Sequence, residues 1–206
     1  MTPRAKNSST PSLLLEPDRK FGEQLHRIRD LHIEVESILQ SLSALQNENV
    51  CASCTHVCCK EVICRESMDS DFLRFVLGAR AEDYVAHQGW YQPGSGCQLS
   101  YGRPLICYEF FCDRYDTPAV NTPSMQSLRQ LSSALKRVYA RVYAGQHMLV
   151  VDDITRVTEH KLNIIHDRLE KLKGLANHAL RDALPLNAAG HAREDLANAP
   201  SAVEAP

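Results

Sequence analysis

No stretch of this chain reaches the ~20 consecutive apolar residues that a membrane helix requires. The apolar cluster nearest the N-terminus, Leu13-Leu14-Leu15, is too short for the core of a secretory signal. These absences argue against a membrane partner and point to the cytoplasm. An excess of either charge is also missing: 23 Lys and Arg face 25 Asp and Glu, for a formal net charge of −2. A chain so balanced is not built as a whole for nucleic acid or acidic lipid. Glycine-rich phosphate loops, nucleophile elbows and the H-E-x-x-H pattern are absent, which leaves nucleotide enzymes and hydrolases without support.

Cysteine is missing from both ends and concentrated in the middle. All eight cysteines fall between residues 51 and 112, and five of them, Cys51, Cys54, Cys58, Cys59 and Cys64, lie within fourteen residues. Such density means a disulfide framework or a metal site. In the cytoplasm thiols stay reduced, which favours metal ligation or redox chemistry.

Around this segment the pattern is helical. Residues 1–17, rich in Ser, Thr and Pro, read as a loose leader, and Asp18 suits a helix N-cap. Phe21, Leu25, Ile28, Leu31, Val35, Ile38, Leu42 and Leu45 then mark one helical face. Residues 51–64 read as irregular, 69–84 as a short buried helix, and 89–96 as a loop. A second long helix is expected from a Thr122 cap and Pro123 to Gly145, with Met125, Leu128, Leu131, Leu135, Val138 and Val142 inward. Met148–Val151 reads as a short strand or a packed run. A third long helix, capped by Asp152 or Asp153, carries Ile154, Val157, Leu162, Ile165, Leu169, Leu172 and Ala176. Residues 185–206 read as a disordered tail.

The expected fold is therefore mainly α. It is a bundle of about three long helices spanning 18–184, with a loop-dominated cysteine segment, 51–115, between the first two. Residues 30–48 contain Asp30, Glu34, Glu36 and Glu48 without a Lys or Arg, whereas 124–144 contain Arg129, Lys136, Arg137 and Arg141 without an acid. This asymmetry predicts that the first and second long helices lie side by side with flanking charges paired. The helical part then builds a scaffold or binds a protein partner.

Thiolates hold zinc and iron–sulfur clusters more firmly than oxygen ligands do. Cys51 and Cys54, two residues apart, can turn both sulfurs to one metal. Adjacent Cys58 and Cys59 diverge, so they suit a multinuclear site or one ligand beside a bystander. Eight sulfurs suffice for two four-thiolate zinc sites or one cubane cluster with spares. The pattern Cys51-x2-Cys54-x3-Cys58-Cys59, followed by Cys97-x5-Arg103-Pro104-x2-Cys107-x2-Phe110-x-Cys112, resembles the YkgJ-type cysteine-cluster family, a zinc- or iron-chelating domain with the signature CxxCxxCC.

That resemblance covers roughly residues 51–112. By position it implies Cys51, Cys54, Cys58, Cys59, Cys97, Cys107 and Cys112 as metal ligands. Two features depart from the family pattern: the spacer before the cysteine pair is three residues, and no cysteine falls between Cys97 and Arg103. Cys64 either stands in for that thiol or is a buried one without a ligand role. Arg103 is placed to offset thiolate charge and donate to sulfur, and Pro104 to stiffen the turn that presents Cys107.

His56 reads as a solvated loop residue in the presence of so many thiols, and Glu23-x2-His26 as helix surface, since no second copy completes a di-iron site. Trp90, Tyr91, Tyr101 and Tyr108 read as cover for the cluster, and Tyr139 and Tyr143 as core or rim. Between 51 and 112 five Lys or Arg face seven Asp or Glu, a poor composition for a DNA-reading finger. The leading expectation is a metal-binding protein holding zinc or an iron–sulfur cluster. Relatives of the resembled family include flagellin lysine-N-methylases, which keeps an iron–sulfur or methyl-transferring enzyme open, although no methyl-donor glycine motif accompanies it. A thiol redox sensor using Cys58 and Cys59 is the third possibility.

Overall fold

The computed structural model describes residues 19–45, 61–108, 122–151 and 153–184. The expected leader, the tail, Cys51, Cys54, Cys58, Cys59, Cys112, His56 and the Asp18 and Asp152 caps fall outside these, as does the side chain of Tyr108.

Among the described residues the protein is mainly helical, with five α-helices, short 3-10 turns and one two-stranded sheet. Helix α1 runs Arg19–Ala44, α4 Pro123–Val138 and α5 Glu159–Ala183, with the short α2 (Glu61–Asp69) and α3 (Asp71–Leu77) between. At 1.5 Å per residue, α1 with its 26 residues spans about 39 Å. It packs most extensively on α5, and α4 packs on both. The apolar stripes explain this: Leu25, Ile28, Leu31, Val35 and Leu42 of α1, Met125, Leu128, Leu131 and Leu135 of α4, and Leu162, Ile165, Leu169, Leu172 and Ala176 of α5 form one core. Phe72, Leu73 and Val76 of α3 enter the same core. No helix among the described residues is long and apolar enough to cross a membrane.

Several boundaries differ from expectation. Cys64 lies in α2, so the irregular segment expected over 51–64 gives way to helix by Glu61. The helix expected over 69–84 is interrupted: Ser70 caps α3 by accepting the Leu73 N–H, and beyond Leu77 the chain tightens into a 3-10 turn, Gly78–Asp83. The expected loop at 89–96 holds a small antiparallel hairpin, with β1 (Tyr91–Gln92) pairing β2 (Gly96–Cys97).

Thr122 caps α4 and Pro123 opens it as expected, but the helix ends at Val138 rather than near Gly145. Its last carbonyls are taken by other groups: His147 Nε2 bonds Lys136 O at 2.6 Å, and Arg168 Nη1 donates to Val138 O at 3.2 Å. Met148–Val150 forms a 3-10 turn rather than a strand, and Met148, Leu149 and Val151 pack into the core, the other reading of that run. Asp153 caps a short 3-10 turn, Ile154–Arg156, and Thr158 is the cap of α5.

Helices α1 and α4 do pack side by side, and α1 also exchanges charge pairs with α5. Glu34 pairs with Lys173 of α5, and Lys20 with Glu159 of α5 at 3.9 Å. Glu36 is not a flanking charge at all, being only 2% exposed.

Candidate metal centre and its buried carboxylate

Three cysteines lie among the described residues, and they come from three different elements. Cys64 is in α2, Cys97 ends β2, and Cys107 sits in the 3-10 turn Leu105–Tyr108. Cys64, Leu77, Trp90 and Leu99 form a second, smaller apolar cluster against which Cys97 packs. Trp90 covers it as expected, 3% exposed, and spends its indole N–H on Ser67 Oγ at 2.8 Å. Gly89 is required here: its φ is +67°, and a Cβ at that position would meet Cys64 Cβ and Sγ at 2.8 Å.

Cys107 feels both other thiols. Burial, first of all, pushes its thiol up to about 12; Arg103 opposes this, while Cys97, Cys64 and Glu36 add to it. Arg103 also holds the nearby backbone: Nε and Nη2 donate to Leu99 O at 3.2 and 2.9 Å. It clamps the turn that leads to Cys107, and the Cys107 N–H closes on Pro104 O at 3.0 Å.

That turn is anchored to α1 by a residue the sequence did not single out. Glu36 Oε2 accepts the Gly102 N–H and Oε1 the Arg103 N–H. One helical turn earlier, fully buried His32 places Nε2 at 2.9 Å from Glu36 Oε2 and Nδ1 at 2.7 Å from the Tyr139 hydroxyl. The Nδ1–Tyr139 hydrogen bond joins α1 to α4, while Nε2 stands beside the Glu36 carboxylate without forming a hydrogen bond to it. Burial, and then the charge of Glu36, hold the Tyr139 hydroxyl well above the ordinary tyrosine range. Tyr139 is core, as expected. Gln40 extends the grip on the loop by donating to Ser100 O at 3.2 Å.

Gly102 has φ +76°, and a Cβ there would press Leu77 Cδ2 at 2.8 Å, so the backbone can reach Glu36 only at glycine. Between α1, α4 and this loop lies a small cavity of about 50 Å³, lined in part by Glu36, Gln40, Arg103, Cys107 and Ser132. Leu39 and Leu128 also line it.

Cys97 and Cys107, two of the expected ligands, are therefore brought to one region together with Cys64. Among the described residues no three His, Cys, Asp or Glu side chains stand close enough to hold a metal ion by themselves. The five other cysteines lie outside the described residues. Glu23 and His26 are exposed on α1, and His26 only edges the Phe75 ring at 4.9 Å. His32 and Glu36 carried one legible signal, four residues apart on the same stripe as Leu25, Ile28 and Val35: polar groups at core positions demand partners. Comparison with family models, with curated proteins and with solved structures finds no match.

Proposed function

We propose that this chain is a metal-binding protein of the YkgJ type, in which Cys97 and Cys107 join Cys51, Cys54, Cys58, Cys59 and Cys112 in holding zinc or an iron–sulfur cluster. The single observation carrying this reading is that Cys64, Cys97 and Cys107, from three separate elements, lie near enough for Cys107 to sense both other thiols.

The bound metal would cross-link these segments and stabilise them directly. Arg103 holds the presenting turn through Leu99 O, and Glu36 fixes the two amides before Pro104. The long helices α1, α4 and α5 serve as scaffold in this reading, with the cysteine segment inserted between α1 and α4 and the whole working in the reducing cytoplasm.

The test is anaerobic purification without chelator, followed by metal analysis, a visible spectrum and thiol titration. At least one tightly bound Zn or Fe per chain is expected, with brown colour marking iron–sulfur, and Cys97→Ser combined with Cys107→Ser should release it. Eight titratable thiols and no metal in the native protein would sink the reading. Chelation should expose Arg65 and Arg103 to trypsin and alter Trp90 fluorescence while most helical signal from α1, α4 and α5 persists.

A further inference from the structure

A groove of about 610 Å³ lies between the end of α4 and the first turns of α5, well away in sequence from the cysteines. Its size falls in the range of about 300–1,000 Å³ usual for small-molecule sites. Arg137, Arg141, Lys161 and Arg168 line it above an apolar floor that includes Val142 and Ile165. None of its lining residues is acidic or aromatic. Among the described residues the ion pairs engage other cations, and none of these four.

Part of this charge has a local explanation. Arg168 caps the Val138 carbonyl at the α4 C-terminus, where the helix carries roughly half a negative charge. One guanidinium is enough for that; of the others, Arg137 donates to Ser133 Oγ at 2.7 Å, and Arg141 and Lys161 add their charge to the groove. Arg141 moreover holds φ +59°, a conformation that costs an L residue, although glycine would adopt it freely. A strained backbone that keeps an arginine at the wall of a groove already rich in positive charge points to a use for that charge.

We propose that this groove binds a small soluble polyanion of the phosphate class. Guanidinium groups pair with phosphate oxygens through parallel N–H donors, and several phosphates would satisfy several cations at once. The absence of an aromatic ring from the lining removes the stacking platform that a nucleobase uses. The exposed large apolar side chains, Leu45, Val62, Val85, Val150 and Leu175, all lie outside the groove, so it has no wedge for a lipid bilayer.

Calorimetric titration of the full chain with inorganic tripolyphosphate tests this, with orthophosphate as the monophosphate control. Saturable one-to-one binding is expected, at least about tenfold tighter for tripolyphosphate, and weaker at about 300 mM than at about 50 mM salt. Arg141→Gly with Lys161→Gln removes two cations, one of them with its strain, and should weaken binding at least about tenfold without lowering the melting temperature. Lys161→Gln alone gives the same direction should the double variant misfold. No heat of binding up to about 1 mM tripolyphosphate would overturn the proposal. So would affinity unchanged in the variants, or sedimentation with phosphatidylglycerol vesicles by a protein that ignores tripolyphosphate.

Discussion

Replacing Glu36 with alanine should be among the most damaging single changes in this protein. The carboxylate is 2% exposed and receives the Gly102 and Arg103 N–H groups while facing His32 Nε2 at 2.9 Å. Alanine strands two backbone donors, each at about 1–3 kcal/mol when buried and unsatisfied. Relaxation and water entry through the neighbouring cavity recover part of this, so about 2–4 kcal/mol is expected. Against a typical domain stability of about 5–15 kcal/mol that loss is severe. Glu36→Gln keeps an oxygen acceptor and should cost less, about 1–3 kcal/mol.

The partner substitution sharpens the test. His32→Leu with Glu36→Leu removes both members but leaves the Gly102 and Arg103 amides unmet, so it should fall between the two single variants of Glu36. Urea unfolding at 25 °C, followed by far-UV circular dichroism and by the single tryptophan, Trp90, measures both the scaffold and the cysteine region. A Glu36→Ala protein within about 1 kcal/mol of wild type would show that the carboxylate is not the anchor of the 102–107 turn.

Four further outcomes follow from the same geometry. Gly102→Ala should cost about 2–4 kcal/mol in chemical denaturation, since it adds a Leu77 clash to the strain of φ +76°. Tyr139→Phe leaves His32 Nδ1 without its hydroxyl and should cost about 1–2 kcal/mol. Because the Tyr139 hydroxyl is raised in the fold, its stabilisation is complete below the ordinary value of 10 and is lost as pH climbs above it. Tyr139→Phe should therefore flatten the alkaline fall in melting temperature. Burial holds His147 below its ordinary 6.5, aided by the Lys136 charge and opposed by the hydrogen bond to Lys136 O. Its contribution is present above 6.5 and is lost as pH falls toward the depressed value, and His147→Gln should remove that part of the acid dependence.

The long helices were legible because their information is local. Leu25, Ile28, Val35 and Leu42, or Leu162, Ile165, Leu169 and Leu172, recur at helical spacing and are buried where that spacing puts them. Thr122-Pro123 likewise states its own helix start. What escaped depends on partners far along the chain. Gly145 resembled a helix terminator, yet α4 stops seven residues earlier because His147 and Arg168 take its carbonyls. Glu36 was grouped with Glu34 as surface charge, and nothing within a helical turn reveals that its partners are amides 66 and 67 residues away. The part played by α1 in holding the turn before Cys107 was not readable either.

The close packing of α1 on α5 has a consequence for how the chain is made. From Ala44 to Glu159 the ribosome must add more than a hundred residues before the apolar face of α1 meets its main partner. At about 5–20 residues per second, that interval lasts about 6–25 s. During it Leu25, Ile28, Val35 and Leu42 have only later-arriving, shorter elements to cover them. A nascent chain arrested before Glu159 should therefore be held by chaperones, and release of α5 should be the event that frees it.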